Sequence, residues 1–453
     1  MSNVLQWLIP SDLPADSKST ALARTRLSAS FTQQQLASLI APTIITMFIT
    51  AALVGSHPFT PRSFNLVGES PQAGTLFNKI YIIGVFLIST PIMLIYARNV
   101  WRLACANLTG VAIVVWSIIS AFWAIDPELS IRRGASFMLS YFSIVILVTA
   151  SRSRRTILYC LVYAFLVVLF LDYLTMLLMP KVSHTPIGEK GIFDGKNEAG
   201  TITLLTVIAL SFNFFIVSKT AFRVIVLIAY VMSWYFLLLT TSKTSISLAL
   251  IITVLSPFVY LTLKKRTSIR IILPSVALIF IVVFILTLAA LDPGNVALRL
   301  IFGDLTFTLR TPIWTEIIKS SMDCPWLGYG FGSFWDIGTP VNPFKHAPPD
   351  AFYMDPLVIN EAHNGYLDQL LQTGIIGLIF AIFAIIRCLF LLQFKEPPEW
   401  DSRSICIITA LLSLVIAIIL NNLLESYLFF SNAITYIFFV LMLQAEKINI
   451  ERG

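Results

Sequence analysis

Apolar runs of about 20 residues, separated by short polar or basic breaks, recur along this chain from residue 35 to residue 442. Runs of that length cross a hydrocarbon core roughly 30 Å thick as α-helices, whose backbone groups are satisfied internally. The pattern predicts twelve spans, over 35–54, 80–97, 105–124, 134–150, 156–179, 200–218, 222–240, 244–262, 270–291, 367–393, 404–421 and 423–442. The fourth contains polar residues. The last two are divided at Asn421 and Asn422, which suit a tight turn between antiparallel helices. The expected fold is an all-α polytopic membrane protein with about twelve transmembrane helices. Its parts are a tail over 1–34, nine spans over 35–291, a loop over 292–366, three spans over 367–442 and a tail over 443–453.

A loop this long is usually functional, and it carries short elements of its own. Residues 311–319 read as an amphipathic helix, with Thr311 as cap, Pro312 at the first helical position and Ile313, Trp314, Ile317 and Ile318 on one face. That face suits either the bilayer or the span bundle. Residues 328–335 form a glycine-and-aromatic turn, and 340–356 are proline-rich and irregular.

Composition removes the soluble alternatives. With 57% hydrophobic and 12% charged residues and a mean hydropathy of +0.84, a chain of 453 residues is an integral membrane protein. Positive charge is retained on the cytoplasmic side of a membrane. Arg98, Arg102, Arg152, Arg154, Arg155, Lys264, Lys265 and Arg266 all fall on one side if both termini are cytoplasmic, which puts the 292–366 loop in the periplasm. The net charge of +7 is then a topology signal. The basic residues are dispersed over loops, so no nucleic-acid partner is expected. The first apolar segment is long enough to remain as a span, which predicts no cleavable signal and retention in the bacterial inner membrane. Of the five cysteines, Cys105, Cys160, Cys388 and Cys406 lie in or at the edges of spans. Cys324 is the outer-loop thiol, so no disulfide framework is expected there.

Four candidate sites map to the outer side. His363 stands where a polar loop enters an apolar helix, and an unperturbed pKa of roughly 6.5 suits a proton acceptor near neutral pH. The alternative is an interfacial His satisfied by backbone carbonyls. Arg310 with Trp314, at the start of the loop helix, offers a planar fork for phosphate beside unpaired N–H groups; a solvated surface Arg is the alternative. Lys243, in the short loop 242–245, lies at the membrane surface and can meet a lipid headgroup or act as a snorkelling anchor. Lys196 and Asn197, in a Gly-punctuated turn over 191–200, suit phosphate or sugar hydroxyls, or form a capping turn. Arg132 and Arg133, at the outer end of the fourth span, suit an anionic lipid or substrate, with interfacial anchors as the favoured reading. His57, His184, His346 and His363 lack the paired spacing of a zinc motif, so no metal and no cofactor is expected. Asp and Glu in the outer loops form no motif that marks a glycosidase acid and base, and the sequence has no nucleophile elbow or nucleotide-type glycine loop.

His363-Asn364, nine residues, Gly374, two residues and Gly377 form a signature. Together with residues 191–197, 242–245, Arg310 with Trp314, and 328–332, it resembles the O-antigen ligase/polymerase superfamily, and within it the exopolysaccharide polymerases of the succinoglycan type. The resemblance implies a metal-independent inverting glycosyltransferase that takes a glycan from undecaprenyl pyrophosphate on the periplasmic face and passes it to a glycan acceptor. It implies His363 as general base, Arg310 as the cation for the leaving pyrophosphate and Lys243 as a second phosphate contact. Asn364 belongs to the signature, and Glu425, at the outer start of the last span, is a candidate to orient another group or bind sugar. Many relatives have Arg where this chain has Lys243, and Gly where it has Leu309. Membrane lipids and a chain-length regulator are the expected partners. A ligase to lipid A core uses the same donor chemistry, whereas a twelve-span transporter or flippase predicts half-repeats and midplane charges.

Overall fold

The computed structural model describes residues 17–55, 58–59, 76–151, 153–264, 306–335, 361–394 and 401–450. The architecture is helical. In chain order the helices are α1 (Ser17–Val54), α2 (Leu76–Ala106), α3 (Leu108–Ile119), α4 (Pro127–Ala150), α5 (Arg154–Leu178), a single turn α6 (Pro180–Ser183), α7 (Lys196–Ile216), α8 (Thr220–Leu239), α9 (Lys243–Lys264), α10 (Thr306–Asp323), α11 (Gly365–Phe394), α12 (Ser402–Asn421) and α13 (Ala433–Ile450). A two-residue antiparallel hairpin, β1 (His184–Thr185) with β2 (Gly188–Glu189), precedes α7.

Nine helices among the described residues are long and apolar enough to cross a membrane. They correspond to nine of the twelve expected spans, while the span over 270–291 and the loop over 340–356 lie outside the described residues. The other two expected spans have different edges. No Gly or Pro interrupts 98–106, so α2 runs on to Ala106. The next helix therefore starts at Leu108, where the Asn107 side chain accepts from the Gly110 N–H at 2.9 Å. It continues only through a 3₁₀ turn to Trp123. The last helix begins at Ala433 rather than 423, because the preceding stretch folds on its own side chains. Asn422 accepts from the Tyr427 and Leu428 N–H groups, and Asn432 accepts from Thr435 N–H while donating to the Tyr427 carbonyl. The expected tight turn at Asn421 and Asn422 is thus a longer buried connection, with Asn422 as its organiser.

Helices α7 and α12 form the centre of the bundle, with 83% of each apolar window buried, against 22% for α2 and α8. The rim is hydrocarbon-facing: Phe222, Ile225, Ile228 and Val231 of α8 are exposed. At the end of the bundle away from α10, Arg387 of α11 pairs with Glu446 of α13 and donates to the Ala106 carbonyl at 3.2 Å. Lys447 donates to the last carbonyls of α4 at Val148 and Thr149.

The signature glycines serve the backbone. At Gly374, α11 is interrupted with φ 68° and ψ −172°, a region open essentially to glycine. The N–H groups of Ile375 and Ile376 turn to the carbonyls of Pro325 and Trp326 at 2.8 and 3.4 Å. A Cβ at Gly374 stands 2.2 Å from the Trp326 carbonyl oxygen. Gly374→Ala is therefore expected to cost at least about 2 kcal/mol, read as a clear fall in Tm of the detergent-purified protein; an unchanged Tm contradicts this account.

The glycine-and-aromatic turn packs into the same notch. Tyr329 and Gly330 donate to the Leu371 and Gln372 carbonyls at 3.0 and 2.8 Å. A Cβ at Gly330 (φ 95°) meets Ala124 at 2.3 Å. Arg133 donates to the Gly332 and Trp335 carbonyls, so it holds this turn, while Arg132 pairs with Glu128 at 3.7 Å.

Candidate active site

Three distant parts of the chain converge on Glu425, in the connection between α12 and α13. Its carboxylate is buried, with 2% of the side chain exposed. One oxygen, Oε1, accepts from Arg310 Nη2 at 3.0 Å and from Asn197 Nδ2 at 3.0 Å. The other, Oε2, lies 3.5 Å from His363 Nδ1, and Glu361 Oε1 approaches the same nitrogen at 2.8 Å. Burying such a carboxylate is costly unless it is paired and hydrogen-bonded, and here two cations and an amide meet it.

Each member is held by its element. Asn197 lies in the first turn of α7. Arg310 projects from α10 and also donates to the Leu424 carbonyl. The helix starts at Thr306, not at 311, and Pro312 lies within it; the sequence 306–310 contains no breaker, so the helix extends back past Arg310. Arg310 is consequently not followed by a helix start, and the expected contribution of free N–H groups there is replaced by the guanidinium itself. The apolar face of α10 resolves in favour of the bundle: Ile313 and Ile317 pack with Phe334, Trp335 and Leu371, while Trp314 Nε1 donates to the Ala362 carbonyl at 2.9 Å.

His363 has a positive φ of 50°, uncommon for a non-glycine residue and typical of functional sites. The flanking backbone fixes it. Asn364 N–H donates to Ser426 Oγ at 3.0 Å, and Gly365 N–H donates to the Asn422 carbonyl at 2.9 Å. The Asn364 side chain caps α11 by accepting from Tyr366 and Leu367 N–H.

Burial pulls the His363 pKa down, but the hydrogen bonds and charges of Glu361 and Glu425 outweigh it and push it up to about 10. The two carboxylates thus favour the protonated imidazole, which runs against the expectation of a side chain ready to accept a proton at neutral pH. Glu361 was not among the sequence candidates. Its signal was present two positions before His363, but an isolated Glu in a loop has no periodic or spacing pattern to mark it.

Lys196 and Lys243 lie at the starts of α7 and α9. Lys196 Nζ donates to the Ile187 carbonyl at 3.1 Å and lies 3.4 Å from Thr241 Oγ1, tying the hairpin to the turn before α9. Lys243 is the exposed first residue of α9, and neighbouring Ser242 packs on Gly200 of α7. Glu361, His363 and Glu425 offer three ligand atoms within 4.8 Å of one another, a grouping that could hold a metal ion. A metal ion there would have to displace the proton that these carboxylates favour on His363, and would compete with Arg310 for Glu425.

Among the described residues, a helical bundle with nine helices long and apolar enough to cross a membrane gathers a histidine, an arginine and two glutamates at one end. Residues 228–382 match the family described as O-antigen ligase. The exopolysaccharide production protein ExoQ of Rhizobium meliloti (strain 1021) is 26% identical over 339 residues, covering 71% of this chain and 75% of its own length. Both findings support the O-antigen ligase/polymerase superfamily, with an ExoQ-like character. The matched segment contains Arg310, Glu361 and His363, whereas Asn197 and Glu425 lie on either side of it.

Proposed function

We propose that this protein is an inner-membrane glycosyltransferase that polymerises undecaprenyl-pyrophosphate-linked oligosaccharide repeats into exopolysaccharide on the periplasmic face. The observation that carries the reading is the convergence of Arg310, His363 and Asn197 on the buried Glu425. Arg310 has five N–H donors, and the carbonyl of Leu424 and the carboxylate of Glu425 engage only part of them. The remainder suits a pyrophosphate. In the reaction the acceptor hydroxyl oxygen bonds to the anomeric carbon from the face opposite the pyrophosphate, the anomeric C–O bond breaks, and the configuration inverts. Arg310 and the His363 imidazolium offset the charge that develops on the departing pyrophosphate. The hydroxyl proton passes to the Glu361 carboxylate, because Glu361 and Glu425 at His363 Nδ1 favour the protonated imidazole. His363 thus acts as a cation that orients both glutamates, in place of the neutral base that the family resemblance implies. With positive charge supplied by side chains, the step is metal-independent. Lys243 and Lys196, at the same end, suit donor lipid headgroup phosphates, and Trp314 and Asn364 position the His363 loop.

The relative is named as an exopolysaccharide production protein, which suits the polymerase reading, and the family description, O-antigen ligase, keeps a ligase as the second reading. Purified protein given one lipid-linked repeat should build a ladder of longer lipid-linked glycans. Transfer to lipid A core without a ladder would assign it as a ligase, and no bond formation at all would favour a flippase.

Orientation is testable on native thiols. Cys324, just after α10, is exposed and should react with a membrane-impermeant maleimide in intact spheroplasts, with Cys324→Ser as the blank. Labelling only after the inner membrane is breached would place the Glu425 centre in the cytoplasm.

A further inference from the structure

A second recess opens at the same end of the bundle. It is a cavity of about 200 Å³ between the C-terminal end of α1, the start of α2, the turn before α7 and the segment around the start of α13. Asp194, Glu198, Tyr427 and Asn432 form its polar side, and Leu53 and Phe193 are among its apolar walls. The transfer chemistry described above does not use it.

Its chemistry selects an occupant. The Asp194 carboxylate repels phosphate, so the donor pyrophosphate belongs at Arg310 and not here. Asp194 accepts hydrogen bonds, whereas burial pushes the Glu198 carboxyl up to about 8, so that it and the Tyr427 phenol can donate; the occupant must therefore both donate and accept, as a polyol does. The volume lies below the roughly 300–1,000 Å³ of pockets for drug-sized ligands, which fits one ring and excludes an oligosaccharide. Apolar walls beside the polar groups match a sugar ring, which presents hydroxyls at its edge and C–H groups on its faces.

Location ties the cavity to the reacting centre. Glu198 follows Asn197, which donates to Glu425, and Tyr427 lies two residues beyond Glu425. Burial, followed by the charges of Glu425, Glu198 and Glu361, pushes the Tyr427 phenol well above its usual range, so it remains a hydrogen-bond donor between the cavity and the centre.

We infer that this cavity holds one neutral sugar ring of the glycan that supplies the attacking hydroxyl, an inference that rests on the glycosyl-transfer reading above. The test uses full-length protein in lipid nanodiscs. Saturation-transfer NMR follows binding of D-glucose and D-galactose, and phosphorus NMR follows inorganic pyrophosphate in the same samples. Asp194→Asn, at an exposed position, should weaken binding of at least one of the two sugars about tenfold, as expected for a lost hydrogen bond to a charged group. Ala433→Phe, which fills the cavity from α13, should abolish it. Pyrophosphate binding should match wild type in both, which also certifies their fold; if the Phe variant loses both ligands, Asp194→Asn alone decides. Wild-type sugar affinity in Asp194→Asn, or no sugar signal from the wild type, overturns the subsite. Sugar responses as expected, with pyrophosphate binding unaffected by Arg310→Ala, would instead sink the donor-site reading and leave the cavity assignment standing.

Discussion

Arg310→Ala is expected to lower glycan transfer by about 10²- to 10³-fold, the usual loss when one fixed donor to developing negative charge is removed. The guanidinium is 14% exposed and its partner Glu425 2%, so the substitution also strips a buried carboxylate of a cation, which costs about 3–5 kcal/mol in comparable pairs. Loss of activity alone would therefore be ambiguous. Arg310→Ala combined with Glu425→Gln separates the two effects, because the neutral amide no longer needs the cation. The double variant should regain much of the Tm lost by the single one and none of the activity. Arg310→Lys should retain charge yet remain impaired, since one ammonium cannot reproduce the planar fork that meets both Leu424 and Glu425. Normal transfer by well-folded Arg310→Ala would remove Arg310 from the chemistry.

His363 gives the second large effect, and its sign with pH discriminates between mechanisms. His363→Ala should reduce single-turnover transfer by about 10²- to 10⁴-fold, and His363→Gln should fare no better because an amide carries no charge. The folded-state pKa is raised from 6.5 to about 10. The stability contributed by the imidazolium is accordingly complete below the unfolded value and fades as pH rises through about 10. Wild-type Tm should fall across that window more than the Tm of His363→Gln. With His363 acting as a cation, the single-turnover rate in EDTA should stay level above neutrality and decline as pH passes about 10. A tenfold climb per pH unit up to that point would show that the neutral imidazole is the base, and would move the proton from Glu361 back to His363.

The membrane class was legible because hydrophobic length is a local property, and nine of the expected runs are helices that suit a bilayer. The edges at 423–432 were not, since Asn422 and Asn432 reach backbone groups several residues away, an arrangement with no period. The site was partly legible. His363, Arg310, Asn197 and Glu425 could each be singled out by type and position, but their meeting could not: Asn197 and Glu425 are 228 residues apart in sequence. The signature containing His363 mixes two kinds of requirement, and only the structure separates the imidazole at its head from Gly374, which is there to let one backbone lie against another. Glu361 escaped notice because a carboxylate alters a histidine by contact, and contact across a strained turn leaves no trace in spacing.

The dependence of the centre on Glu425 bears on biogenesis. The chain is threaded into the membrane from its N-terminus, so Asn197, Arg310 and His363 are made well before residue 425 of 453 leaves the ribosome. Until then the guanidinium and imidazole lack the shared carboxylate that aims them. A chain stalled or truncated before the last helical hairpin is therefore a complete-looking bundle without an assembled centre. Two fragments divided between α9 and α10 should be inert apart and active when co-expressed, with competence appearing only once the C-terminal piece has inserted.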